Sequence, residues 1–168
     1  GALISKQEFE NYHLRLVFKW GTLKWPPRLE ENLDCGLLYH SIGDPGIGHN
    51  SWMRSNEFQI EEGHCGDFYP VAGIINTIKA IPDTASVFYI YSPEGEEVTF
   101  GGDNWWCKVP ENFENPAGEY DTLDLYTYGG KSMHVVNGNL VMTLLDSRHK
   151  NEKGRNEAVT SGKIQIQS

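Results

Sequence analysis

The chain has 168 residues, enough for one domain with a sizeable core, and it is acidic: 23 Asp and Glu against 14 Lys and Arg give a net charge of −9. That balance, with no basic stripe, argues against nucleic acid as a partner, and no apolar run approaches the roughly 18 residues of a membrane-spanning helix. Aromatic residues make up 12% of the chain, with 18 Gly and 8 Pro, a mixture that suits strands joined by many turns. The three cysteines, Cys35, Cys65 and Cys107, match no zinc spacing; one disulfide is open to them, but three buried thiols is the favoured reading.

Residues 12–20 alternate, with Leu14, Leu16 and Phe18 on one face and His13, Arg15, Val17 and Lys19 on the other, as in a half-buried strand. A long loop with Pro26 and Pro27 follows. Residues 34–41 form a second strand with faces Cys35, Leu37, Tyr39 and Asp34, Gly36, Leu38, His40. The Gly-rich stretch 42–51 reads as loop. The strand 56–61 then sets Phe58 and Ile60 toward a core and displays Glu57, Gln59 and Glu61 together on the opposite face. Glu62, His64 and Asp67 follow in a glycine-punctuated loop. Residues 68–81 are rich in β-branched side chains and read as strands. Residues 86–91 and 96–100 are expected to form a hairpin around Pro93-Glu94-Gly95. After the loop 110–118, residues 119–128 alternate again, Gly129-Gly130 turns the chain, and 131–136 and 139–145 flank Asn137-Gly138, a two-residue hairpin signal. Residues 148–161 are polar and expected to be mobile, and 163–167 form a last strand with Ile164 and Ile166 on one face. Helical periodicity is nowhere convincing, so the sequence predicts an all-β sandwich.

Taken in order, several segments resemble one family. They are Leu3-Ile4-Ser5-Lys6, Asp34-Cys35-Gly36-Leu37-Leu38-Tyr39, Glu57-Phe58-Gln59-Ile60, Glu62-Gly63-His64-Cys65-Gly66-Asp67-Phe68, Pro116-Ala117-Gly118-Glu119-Tyr120-Asp121-Thr122 and His134-Val135-Val136-Asn137-Gly138. The chain is similar over nearly its whole length to the 3-keto-disaccharide (3-keto-glycoside) hydrolase family, first described as domain of unknown function 1080. The resemblance implies a concanavalin A-like jelly roll, a β-sandwich of two antiparallel sheets, and a secreted or periplasmic location. The family's second motif begins Asn-Ser-Gly and often ends in Arg, whereas here it is Asp34-Cys35-Gly36 and ends at His40; His64 stands where an acidic residue is common. The family also has a strand before Leu3 and another after Ser168, so residues 1–168 are expected to be a single jelly-roll domain lacking its first and last strands.

The chemistry follows from that resemblance. A 3-keto group acidifies the neighbouring sugar C2–H; a base removes the proton, the aglycone leaves from C1, and the enolate needs a divalent metal ion or hydrogen-bond donors to stabilise it. The catalytic candidates are Glu57, Glu62 and His40, with Glu62 returning to the face of Glu57 if a bulge follows Ile60. Substrate-binding candidates are Gln59, Asp34, Trp105, Trp106, Lys108, His64 and Asp67: polar groups for hydroxyls, and an indole platform for the apolar faces of a sugar. Glu57-Phe58-Gln59-Ile60-Glu61 echoes the Glu-x-Asp-x-x-Glu strand of retaining laminarinases without matching it, so two-carboxylate retaining hydrolysis is not expected. The alternative is a non-catalytic carbohydrate-binding module on the same fold. Either way the expected partner is a carbohydrate; the sequence does not specify the sugar, its linkage or the oligomeric state.

Overall fold

A computed structural model describes residues 1–167, and within them every regular element is a strand. In chain order these are β1 (Ala2–Ile4), β2 (Tyr12–Phe18), β3 (Asp34–Ile42), β4 (Arg54–Glu61), β5 (Phe68–Val71), β6 (Ile74–Pro82), β7 (Tyr89–Tyr91), β8 (Glu96–Phe100), β9 (Cys107–Lys108), β10 (Asp121–Tyr128), β11 (Lys131–Val136), β12 (Asn139–Lys150), β13 (Asn156–Ala158) and β14 (Lys163–Gln167). They form a jelly-roll-type sandwich. Its front layer runs β1-β14-β3-β4-β5 and its back layer β12-β11-β10-β2.

The two layers are continuous along one side. The ladder continues from β5 through β9, β7 and β6 to β12, so one sheet curls over on itself, and the β7–β9 pair is parallel. Strand β6 makes the bend. Its first half pairs with β12 (Ile74 to Ile78), while its end pairs with β7 (Ala80 to Pro82). The expected hairpin over 86–100 is also absent as such: β7 and β8 each pair with β6 instead of with each other. Residues 148–161, expected to be mobile from their polarity, contain strand structure. β12 runs on to Lys150 and returns as β13.

Alternation explains the core. Leu37 and Tyr39 of β3, Phe58 and Ile60 of β4, and Leu123, Leu125, Val136 and Met142 of the back layer are fully buried between the layers. Removing a side chain such as Phe58 costs about 3–5 kcal/mol in a packed core. The Asn137-Gly138 turn closes the β11–β12 hairpin with φ of 48° and 82°, the two left-handed residues of a type I′ turn. Lys163–Gln167 pairs with both β3 and β1.

A polar network crosses the core. The ring of Phe58 stacks on that of His134 at 4.1 Å between centroids. The Tyr39 hydroxyl lies 2.9 Å from His134 Nε2 and 2.6 Å from Ser132 Oγ, and His134 Nδ1 lies 3.3 Å from the Gly66 carbonyl oxygen. A neutral imidazole meets this arrangement by donating from Nδ1 and accepting at Nε2. Burial pushes the His134 pKa down to about 3, which keeps the ring neutral. The network joins β3, β11 and the loop that follows β4.

Candidate active site

The outward face of the front layer carries the candidate site, and strand register assembles it. Asp34 lies opposite Glu61, Gly36 opposite Gln59 and Leu38 opposite Glu57. Glu57 in turn lies opposite Tyr69 of β5. Directly paired residues share a face. The row Glu57, Gln59, Glu61 therefore stands between Asp34 and Tyr69, while Phe58 and Ile60 fill the core behind it.

Glu57 is the most unusual group of this face. It has no hydrogen-bond or ion-pair partner among the described residues, and it lines a pocket of about 440 Å³ together with His49, Trp52, Tyr69 and Trp105. Burial, with the charge of Asp34 as a smaller cause, pushes its pKa up to about 8. Room for the carboxyl group comes from Gly36 across the ladder: a Cβ there would collide with Glu57 Oε1 and stand 2.9 Å from Gln167 Oε1. Asp34 is tied at Oδ2 to Arg28 Nη1 at 3.0 Å, and its other oxygen is buried without a partner.

An aromatic wall flanks Glu57. The Trp106 ring stacks on Tyr69 (5.7 Å, 15°), with Trp105 beside both and Phe88 behind. Trp105 is 48% exposed, whereas Trp106 is anchored: its Nε1–H donates to Asp67 Oδ2 at 2.6 Å. Asp67 Oδ1 accepts the Val109 N–H at 2.7 Å, and His64 Nδ1 stands 3.4 Å from Oδ2. Hydrogen bonding to Asp67 raises the His64 pKa. Burial also raises the Tyr69 pKa, so its phenol stays a donor.

Several expected site residues lie elsewhere or are already engaged. His40 does not face the groove. A register shift between Tyr39 and Ile42 turns it inward at φ 47°, where Nε2–H donates to the Glu10 carbonyl at 3.0 Å and the ring packs against Tyr12 and Tyr39. No bulge follows Ile60, since Cys35–Ile60 and Asp34–Glu61 are consecutive pairs; Glu62 therefore leaves the face and lines a separate pocket with Trp20 and Glu114. Asp67 is fully buried and spends its carboxylate on Trp106, Val109 and His64, so it organises the wall without reaching substrate. Lys108 is engaged too. Its Nζ pairs with Asp83 at 2.7 Å, bonds Ser86 and sits 4.7 Å above the Trp106 ring. That pairing holds the Asp83 carboxyl down at about 2. Gln59 is 8% exposed beside Glu61, with its Nε2 3.5 Å from Glu61 Oε2. Among the described residues no group of three His, Cys, Asp or Glu side chains is arranged to hold a metal ion.

Sequence reasoning missed Tyr69, His49 and Trp52. Tyr69 was within reach of simple alternation, because Phe68 is core and its neighbour must point outward. His49 and Trp52 sit on an irregular loop closed by the Gly48–Trp52 bridge, and no periodicity marks them.

The comparisons agree with this architecture. Residues 1–168 match the 3-keto-alpha-glucoside-1,2-lyase-like domain, and the chain belongs to that family. No curated protein matches. Among solved structures, 99% of the chain superposes on 74% of a protein described as a "putative glycosyl hydrolase from Parabacteroides distasonis ATCC 8503", with a TM-score of 0.52 and 18% identity. A second structure with the same description and organism matches with a TM-score of 0.50 and 16% identity over 99% of this chain and 67% of its own. These likenesses establish a shared fold.

Proposed function

We propose that this protein cleaves 3-keto-glycosides, with Glu57 as the base that removes the C2 proton. The observation that carries the reading is the state of Glu57: a carboxyl group desolvated on an open groove, unpartnered among the described residues, with its pKa raised to about 8. A carboxylate tuned toward neutral pH is a stronger base than an exposed one, and strongly shifted groups in clefts mark functional sites. Membership of the 3-keto-alpha-glucoside-1,2-lyase-like family supports the substrate class.

The step balances simply. The C2 proton passes to the Glu57 carboxylate. Its electron pair forms the C1–C2 double bond, through an enolate on the 3-keto oxygen, and the aglycone leaves with the C1–O electrons and takes a proton from solvent. Water addition to the resulting unsaturated ketone completes a net hydrolysis. Tyr69, the neighbour of Glu57 across the ladder and a wall of the same pocket, supplies a neutral donor for the enolate oxygen. Trp105 offers its exposed ring to the sugar's C–H face, and Asp67 holds Trp106 beneath it.

The test is a comparison of substrates. The protein cleaves a 3-keto-glucoside and leaves the parent glucoside intact, because only the ketone acidifies C2–H. In deuterated water, label enters C2 of unreacted keto substrate if proton removal is reversible. Equal cleavage of both glucosides would return the protein to conventional hydrolysis; sugar binding without turnover of either would make it a binding module.

A further inference from the structure

A second cleft, of about 600 Å³, lies apart from the glycoside pocket and shares no lining residue with it. It opens between the β5–β6 turn at Gly73, the segment after β8 at Gly101 and Gly102, and the ends of β12 and β13. Three cations line it, Arg54, Arg148 and Lys150, and no Asp or Glu does. Acidic side chains outnumber basic ones 23 to 14 in this chain, so a cleft with three bases and no acid on its walls runs against the composition.

The cations are held so that donors remain free. Arg54 is fixed by its Nε–H on the Ala72 carbonyl (2.8 Å) and by Nη1 against His149 Nδ1 (3.0 Å), neither of which cancels its charge. Arg148 uses only Nη1, shared between Thr77 Oγ1 and the Asp146 carboxylate outside the cleft wall. Its Nε and Nη2 have no partner among the described residues. Lys150 is exposed and unpaired among the described residues. Being two residues apart on β12, Arg148 and Lys150 share a face. Thr99 and Asn156 add neutral polar groups and Ile75 an apolar floor. Guanidinium forks with unspent N–H groups match the paired oxygens of a carboxylate, sulfate or phosphate.

We propose that this cleft binds the oxyanion group of a small molecule, a sulfate, phosphate or carboxylate, at the convergence of Arg54, Arg148 and Lys150. Arg54 belongs to the core-side residues of β4 and Glu57 to its outward face, so an anion here leaves the Glu57 pocket free. The site does not depend on the glycoside reading.

The experiment is a titration of the whole chain, followed by calorimetry and by the Arg Nε–H signals, with inorganic sulfate, inorganic phosphate, glucose 6-sulfate and glucuronate, and with glucose as the neutral control. The oxyanions bind, shift the Arg54 and Arg148 signals and weaken as NaCl is added, while glucose leaves those signals in place. Tighter binding of glucose 6-sulfate or glucuronate than of the inorganic ions identifies an acidic sugar as the ligand; equal binding identifies a free oxyanion. The Arg148→Gln/Lys150→Gln pair lowers affinity at least ~10-fold, as expected for loss of charge-assisted hydrogen bonds. Lys150→Gln alone, which breaks no side-chain hydrogen bond or ion pair among the described residues, acts in the same direction, and Lys6→Gln changes nothing. Absence of oxyanion binding, or binding that survives the double substitution in a folded protein, overturns the proposal.

Discussion

Two titratable side chains, one fully buried and one half-buried, sit back to back across strand β4, and the fold treats them oppositely. His134 packs against Phe58 on the core side. It is fully buried and has a partner at each ring nitrogen, Tyr39 on one and the Gly66 carbonyl on the other. Glu57, one residue along from Phe58, points outward into a pocket with no partner at all among the described residues. Both are pushed toward their neutral forms by burial, His134 down to about 3 and Glu57 up to about 8. The difference is in what surrounds them. A structural polar group is closed off by protein donors and acceptors, whereas Glu57 is desolvated and left open for something that is not protein.

Substitution at Glu57 has the largest expected effect. Glu57→Gln keeps the size and removes the base, so turnover of a 3-keto-glucoside falls by about 10²–10⁴-fold. Stability moves the other way. Because the folded pKa is raised, the folded state binds more protons than the unfolded one between the ordinary carboxylate range and about pH 8, and native stability declines as pH rises through that window. Glu57→Gln therefore raises the melting temperature at pH 8–9 by a few degrees and does little at pH 4. Glu62→Gln, in its separate pocket, leaves turnover within about twofold, a contrast that measures whether one carboxylate or two matter.

Gly36→Ala comes next. The added methyl group displaces the Glu57 carboxyl, and kcat falls by about 10-fold or more while the circular dichroism spectrum is retained. Asp67→Ala acts on the wall instead. It strands the Trp106 Nε1–H and the Val109 N–H, costs about 1–3 kcal/mol of stability, and raises KM more than it lowers kcat, with a change in tryptophan emission as the direct readout.

The smallest expected effect belongs to the core partner. Tyr39→Phe leaves His134 Nε2 without its donor and costs about 1–2 kcal/mol in denaturant unfolding. The pH dependence is the sharper signature. His134 is neutral when folded, with a depressed pKa, so the stability it protects is complete above about pH 6.5 and is lost as pH falls toward about 3. His134→Gln removes that part of the acid sensitivity while lowering stability at neutral pH.

Much of this was legible in the chain because the period-2 signal is local. Alternation around Phe58 and Ile60 placed Glu57, Gln59 and Glu61 on one outward row, and Asn137-Gly138 announced its turn. What the sequence concealed depends on register and on distant contacts. A single shifted pair in β3 carried His40 from the groove to the interior, and the absence of one after Ile60 sent Glu62 away. The engagement of Asp67 with Trp106, 39 residues later, and of Lys108 with Asp83 has no local marker, so residues that read as ligands prove to be supports. The continuity of the two layers was hidden for the same reason. It rests on where β6 changes partners halfway along its length.

The most direct test of the account is the pH dependence of kcat/KM on a 3-keto-glucoside, which reports the ionisation of the free enzyme. With Glu57 as the base, the rate rises with pH through an inflection near 8, and that inflection disappears in Glu57→Gln together with most of the activity. A profile that is flat from pH 5 to 9, or one whose inflection survives the substitution, would contradict the assignment of Glu57 as the working base.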